Sequence, residues 1–114
     1  MDSTRQSKIS SLLQKEIANY FLLHSQNYLG AMISVSEVRV TSDLDEAKIF
    51  VSIFPNEKRQ EIFNKIETDT KEIRFETAKK IRFQLRRIPE FVFLIDETLD
   101  YAERIQQLLD KDKQ

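Results

Sequence analysis

The chain has 114 residues, the size of one domain around one core, with 40% apolar and 32% charged side chains and a net charge of −1. That balance excludes collagen-like, mucin-like and disordered acidic chains, and no uncharged stretch approaches the roughly 18 apolar residues of a membrane span. With no cysteine and one histidine, His24, disulfide scaffolds, zinc knuckles, thiolate catalysis and multi-histidine metal centres fall away.

The N-terminus, MDSTRQSK, leads into a charged amphipathic segment without an apolar h-region, so the expectation is a soluble cytoplasmic protein. From Ser3 to about Leu23 the residues Ile9, Leu12, Leu13, Ile17, Tyr20 and Phe21 recur at helical spacing. Gly30, the only glycine, turns the chain into a β-branched run, Ile33, Val35, Val38 and Val40. The period of that run slips by one near Glu37, which fits a strand with a bulge. Thr41 to Glu46 is polar turn chemistry. Beyond it, Ala47, Ile49, Val51 and Ile53 alternate with residues that include Phe50 and Phe54, so both faces carry bulk and a central strand is expected. Pro55-Asn56 ends that strand, with Asn56 placed to cap the next helix.

No Gly or Pro occurs between Glu57 and Arg87, so helix is the default there. At 100° per residue, however, the apolar stripe of Ile62, Phe63, Ile66 and Ile73 is rotated by about 80° from that of Ala78, Ile81, Leu85 and Ile88. A straight helix would turn part of its apolar face to water, so two helices meeting near residues 71–77 are expected. Pro89 stops the second, and Phe91 to Ile95 reads as a buried strand. Thr98 to Leu109 reads as a final amphipathic helix. The order is α-β-β-α-α-β-α, with the first two strands antiparallel and the third parallel to the second through a right-handed crossover. The fold class is α+β, a three-stranded mixed sheet with helices on one face, forming a single domain over 1–110 with a frayed tail at 111–114.

Charge is unevenly spread. Residues 71–90 hold seven basic and three acidic side chains, a +4 block set between segments of net −3 at 29–70 and 96–114. A local field of this kind can steer a polyanion even when the total is near zero. Within the block, Lys79, Arg82 and Arg86 are spaced i, i+3, i+7 and should project together from a helix, joined by Lys80 and Arg87. The plain alternative is a solvated helix face. Two phenylalanines, Phe75 and Phe83, lie off both apolar stripes and are the ones available to stack on bases. Asp43, Asp45 and Glu46 lack the glycine and bidentate glutamate of a calcium loop and read as a hairpin turn. His24 has no Ser, Cys or Asp constellation near it. No phosphate loop, dinucleotide fingerprint or paired-carboxylate site is visible, so the reading is a non-enzyme without cofactor or metal.

The order matches the type II KH arrangement, and three stretches of sequence carry a closer resemblance. They are Arg5-x-x-Lys8-Ile9; Val35-x-x-Val38-x-Val40-x-x-Asp43-Leu44-x-x-Ala47-x-Ile49-x-Val51; and Leu85-Arg86-Arg87-Ile88-Pro89-Glu90-Phe91-x-Phe93 running into Asp96. Over most of its length the chain resembles ribosome-binding factor A. That resemblance implies a factor of ribosome biogenesis and rRNA processing that binds the small ribosomal subunit through its RNA, with importance in the cold, and no enzymatic activity. A KH domain clamps single-stranded RNA with a GxxG loop between two helices; this family has an Ala-x-Gly kink there, and the aligned stretch in this chain is Lys71-Glu72-Ile73. Ile73 should then be buried, with Lys71 and Arg74 pointing outward. The expected RNA-binding set is Arg5, Lys8, Lys71, Arg74, Lys79, Lys80, Arg82, Arg86 and Arg87. The expected state is a monomer on the small subunit, with ribosomal proteins as further contacts and no membrane partner. A rival reading of the same fold is a protein-interaction module without direct RNA binding.

Overall fold

The computed structural model describes residues 4–98. The elements are α1 (Thr4–Leu23), β1 (Met32–Val40), β2 (Glu46–Phe54), α2 (Arg59–Thr68), α3 (Thr70–Ile81) and β3 (Glu90–Ile95), with 3-10 turns at Ser25–Tyr28 and Asn56–Lys58. The order α-β-β-α-α-β is the type II KH-like α+β arrangement. Beyond Thr98, the further helix expected over 98–109 and the tail at 111–114 lie outside the described residues.

The sheet runs β1-β2-β3, with β1 antiparallel to β2 and β2 parallel to β3. Val35 sits opposite Val51 and Val40 opposite Ala47, and the register shifts between Val35 and Glu37. The extra residue, Ser36, absorbs the slip seen in the sequence. Because side chains alternate in a strand, the bulge returns Val38 and Val40 to the face already occupied by Ile33 and Val35. Ser36 Oγ in turn donates to Asp96 Oδ2 at 2.6 Å, tying the bulge to the chain just past β3. That bond and the Thr98 amide hold the Asp96 carboxyl below the usual carboxylate range.

One face of the sheet carries the core. Ala47, Ile49, Val51, Phe91 and Phe93 pack there against Ile9, Leu13, Ile17 and Phe21 of α1, Ile62 and Ile66 of α2, and Ile73 and Ile81 of α3. Phe21 meets Tyr28 and Phe93 edge to face, with ring centroids at 5.6 and 6.0 Å, a favoured geometry for aromatic pairs. Gly30 adopts φ +72 directly after Leu29 at φ 58, so the chain leaves the 3-10 turn at Ser25–Tyr28 and enters β1 through two successive left-handed residues.

Three expectations about the long helical region need correction. The break exists, but at Asp69 and not within 71–77. Ile73 belongs to α3, where Ile73, Thr77 and Ile81 form one buried row at i, i+4, i+8. Thr77 is polar and Ala78 only half-buried, so a reading of apolar residues alone put the rotation too late. Helix α3 ends at Ile81, not near Arg87. The chain turns there, with the Gln84 and Leu85 amides donating back to the Ile81 carbonyl. Asn56 opens a 3-10 turn, and α2 starts after Lys58 with no side-chain cap.

Candidate nucleic-acid interface

Helix α1 begins with Thr4, Arg5, Lys8, Ile9 and Leu12 on the side turned toward the chain between α3 and β3. With Gln84, Leu85 and Arg86 these residues line a groove of about 820 Å³. Ile9 is buried and Leu12 and Leu85 half-buried, so the floor is apolar. Arg5, Lys8 and Arg86 supply the charge, and among the described residues no acidic side chain lines the groove. Lys8 follows Arg5 by three residues, which on a helix makes them neighbours. Of the expected set, Arg5 and Lys8 therefore lie beside Arg86 across a groove and not on a continuous helix face.

Because α3 stops at Ile81, Arg86 and Arg87 are loop residues. The i, i+3, i+7 alignment of Lys79, Arg82 and Arg86 on one helix does not hold. Lys79 and Arg82 keep their spacing, since Arg82 is the right-handed residue closing α3. Each of the two stands over an exposed aromatic ring. Lys79 Nζ lies 5.0 Å from the Phe75 centroid and the Arg82 guanidinium 4.6 Å from that of Phe83, both within reach of a cation–π attraction. Lys79 also pairs with Glu76 at 3.2 Å.

Four of the expected residues lie elsewhere. Arg74 does not point outward. It donates through Nε to the Pro89 carbonyl at 2.9 Å and through Nη2 to that of Ile88 at 2.6 Å, with Glu90 3.8 Å away. Arg87 is in an ion pair of 2.7 Å with Asp45 of the hairpin turn. Lys80 lines a small cavity of about 190 Å³ with the carboxylates Glu16 and Glu76. Lys71 is exposed in the first turn of α3, and Ile73 is fully buried as expected. Eight of the nine cations thus divide into a groove set, an aromatic-paired set and a structurally engaged set, and Lys71 stands apart from all three. Thr4 and Gln84 complete the groove without having been singled out. Nothing in their spacing marks them, because the loop that brings Gln84 to α1 is a tertiary feature.

Two other polar sites are structural. Tyr28, 1% exposed, donates its hydroxyl to Asp69 Oδ2 at 2.9 Å. Burial and that bond push its pKa well above the ordinary tyrosine value. His24 stacks on Tyr20 with centroids 4.1 Å apart, and its Nδ1 lies 2.8 Å from the Tyr20 carbonyl. Among the described residues no group of three or more His, Asp or Glu is placed to hold a metal, and no helix is long and apolar enough to cross a membrane.

A family model described as ribosome-binding factor A matches residues 5–109. The chain belongs to the ribosome-binding factor A family. It is 40% identical over 111 residues to ribosome-binding factor A of Flavobacterium johnsoniae, covering 96% of this chain and 85% of that one. With the Prosthecochloris aestuarii protein of the same name it shares 42% over 108 residues, covering 94% and 88%. The crystal structure of ribosome-binding factor A from Thermus thermophilus superposes with a TM-score of 0.67 at 18% identity, over 79% of this chain and 94% of that one. A homology model of the Thermus thermophilus factor, fitted into a cryo-EM map of its complex with the 30S subunit, superposes with a TM-score of 0.58 at 18% identity, over 84% and 96%. Membership of the ribosome-binding factor A family places the chain among ribosome-binding proteins and not enzymes. At that identity the two structures speak for the fold alone.

Proposed function

We propose that the chain is a maturation factor of the small ribosomal subunit and binds that subunit's RNA through the basic groove between α1 and the α3–β3 loop. The observation that carries the reading is the composition of the groove: Arg5, Lys8 and Arg86 around an apolar floor, with no carboxylate among the described residues that line it. Cations so placed displace condensed counterions from a phosphate backbone, which yields affinity without sequence preference. The family's name and the 30S complex of the Thermus relative supply the polyanion. The protein acts as a cytoplasmic monomer without cofactor.

Sedimentation with purified small subunits, mature and immature, over a salt series tests this. The unchanged chain should co-sediment at low salt and be released steeply as salt rises. Arg82→Glu with Arg86→Glu should abolish binding while the melting temperature stays within a few degrees, since both side chains are exposed.

A protein-interaction module without direct RNA contact has one observation in its favour. Met32 and Phe54 are partners across β1 and β2 and are 67% and 68% exposed. An apolar contact of that kind is nearly insensitive to salt, so salt-independent binding that survives the double substitution would favour it.

A further inference from the structure

We propose that Phe75 and Phe83 are stacking platforms for unpaired RNA bases, with Lys79 and Arg82 holding the adjoining phosphates. This rests on the RNA reading above and specifies which form of RNA the basic surface takes. Phe75 is 62% and Phe83 86% exposed, and they are the large apolar side chains left in water within the basic block at 71–90. Neither belongs to the core, and neither takes part in the ring contacts that join Tyr20, Phe21, Tyr28, Phe91 and Phe93. Each instead has a cation over one face, at 5.0 and 4.6 Å.

A ring with one face under a cation offers its other face to a flat partner. A nucleotide matches both halves: its base has a π-face for the ring and its phosphate a charge for the cation. A duplex could satisfy only the cations, because its bases are already stacked on one another and its deep groove is closed to side chains. The two rings lie close along the chain, since only about 9 Å of helix rise separates Phe75 from the end of α3 at Ile81. They can therefore take bases from one short single-stranded stretch. Binding by stacking is tolerant of sequence because every base has a π-face.

An apolar protein contact at the same rings would be served by any apolar side chain, whereas stacking needs a flat one. That difference sets the test. The chain has no tryptophan, so Phe83→Trp introduces a single indole reporter. A 12-nucleotide oligoadenylate should quench its emission, and an abasic oligomer of equal length and charge should not. On purified small subunits, Phe75→Leu and Phe83→Leu should each weaken binding about tenfold (about 1.4 kcal/mol) and leave the salt slope unchanged, while Phe83→Trp binds as the unchanged chain does.

Equal quenching by the abasic oligomer, or unweakened binding by the leucine variants, would overturn the stacking assignment. If Arg82→Glu with Arg86→Glu still abolishes binding in that case, the phosphate reading stands alone. If that variant binds as well, both readings fall.

Discussion

Arg74 and Arg86 carry the same charge and lie twelve residues apart, yet they do different work. The Arg74 guanidinium satisfies the carbonyls of Ile88 and Pro89, two acceptors at the point where the loop becomes β3. Arg86 stands in the groove, exposed and, among the described residues, without an ion-pair partner. A hydrogen bond to a charged group contributes about 1.5–3 kcal/mol, and exposure of roughly a third of the Arg74 side chain lowers that to about 1–2 kcal/mol. Arg74→Met should therefore depress the melting temperature by several degrees, at about 4–8 °C per kcal/mol for a domain of this size. The variant's binding, measured where it is still folded, should keep the salt slope of the unchanged chain. Arg86→Gln should do the reverse, leaving the melting curve in place and losing about 0.7 of a unit of slope. A sequence shows two arginines in one basic block. Only the tertiary contact separates them.

Between elements, the junction of α2 and α3 is held from outside the helical region. Asp69 stands at φ −88, ψ 4, between the two helices, and its carboxylate accepts the buried Tyr28 hydroxyl from the turn that follows α1. The bend thus needs no glycine: a side-chain bond between distant segments fixes it. Tyr28→Phe leaves the ring packed against Phe21 and removes the hydroxyl's bonds to Asp69 and Tyr20, at a cost of about 1–2 kcal/mol. The hydroxyl pKa is raised in the fold, so its contribution is complete below the unfolded tyrosine value near 10 and is lost as pH climbs above it. Melting curves from pH 7 to 11 should show the unchanged chain losing stability more steeply above pH 10 than Tyr28→Phe does. The β elements were legible in the sequence because alternation is a local signal: the slip at Glu37 is the bulge, and the bulk on both faces of 47–54 is the central strand. The end of α3 was not legible. Arg82 to Arg87 are acceptable helix residues, and what unwinds them is the need to deliver β3 beside β2, together with Arg74 capturing the carbonyls at its start.

For the whole molecule, the candidate site was legible as a charge block and not as a shape. The +4 segment at 71–90 supplies Arg86 to the groove, but a helical projection gathered residues that the fold disperses. Arg74 and Arg87 are engaged in structure, Lys80 sits beside carboxylates, and Arg86 joins Arg5 and Lys8, from the opposite end of the chain. The groove exists because α1 packs along the sheet and brings its first two turns to the loop before β3, which no local pattern encodes. It also sets a quantitative expectation for binding. Each phosphate neutralised on single-stranded RNA contributes about 0.7 to the slope of log affinity against log salt. Replacing Arg5, Lys8 and Arg86 together by Gln should lower the slope on small subunits by about 2 units, and the ring substitutions Phe75→Leu and Phe83→Leu should lower affinity at every salt concentration equally. Lys71→Gln, removing a cation outside the groove, serves as the comparison and should leave the slope unchanged. A triple variant with an unaltered slope would mean that the groove is not where the phosphates sit, whatever the chain binds.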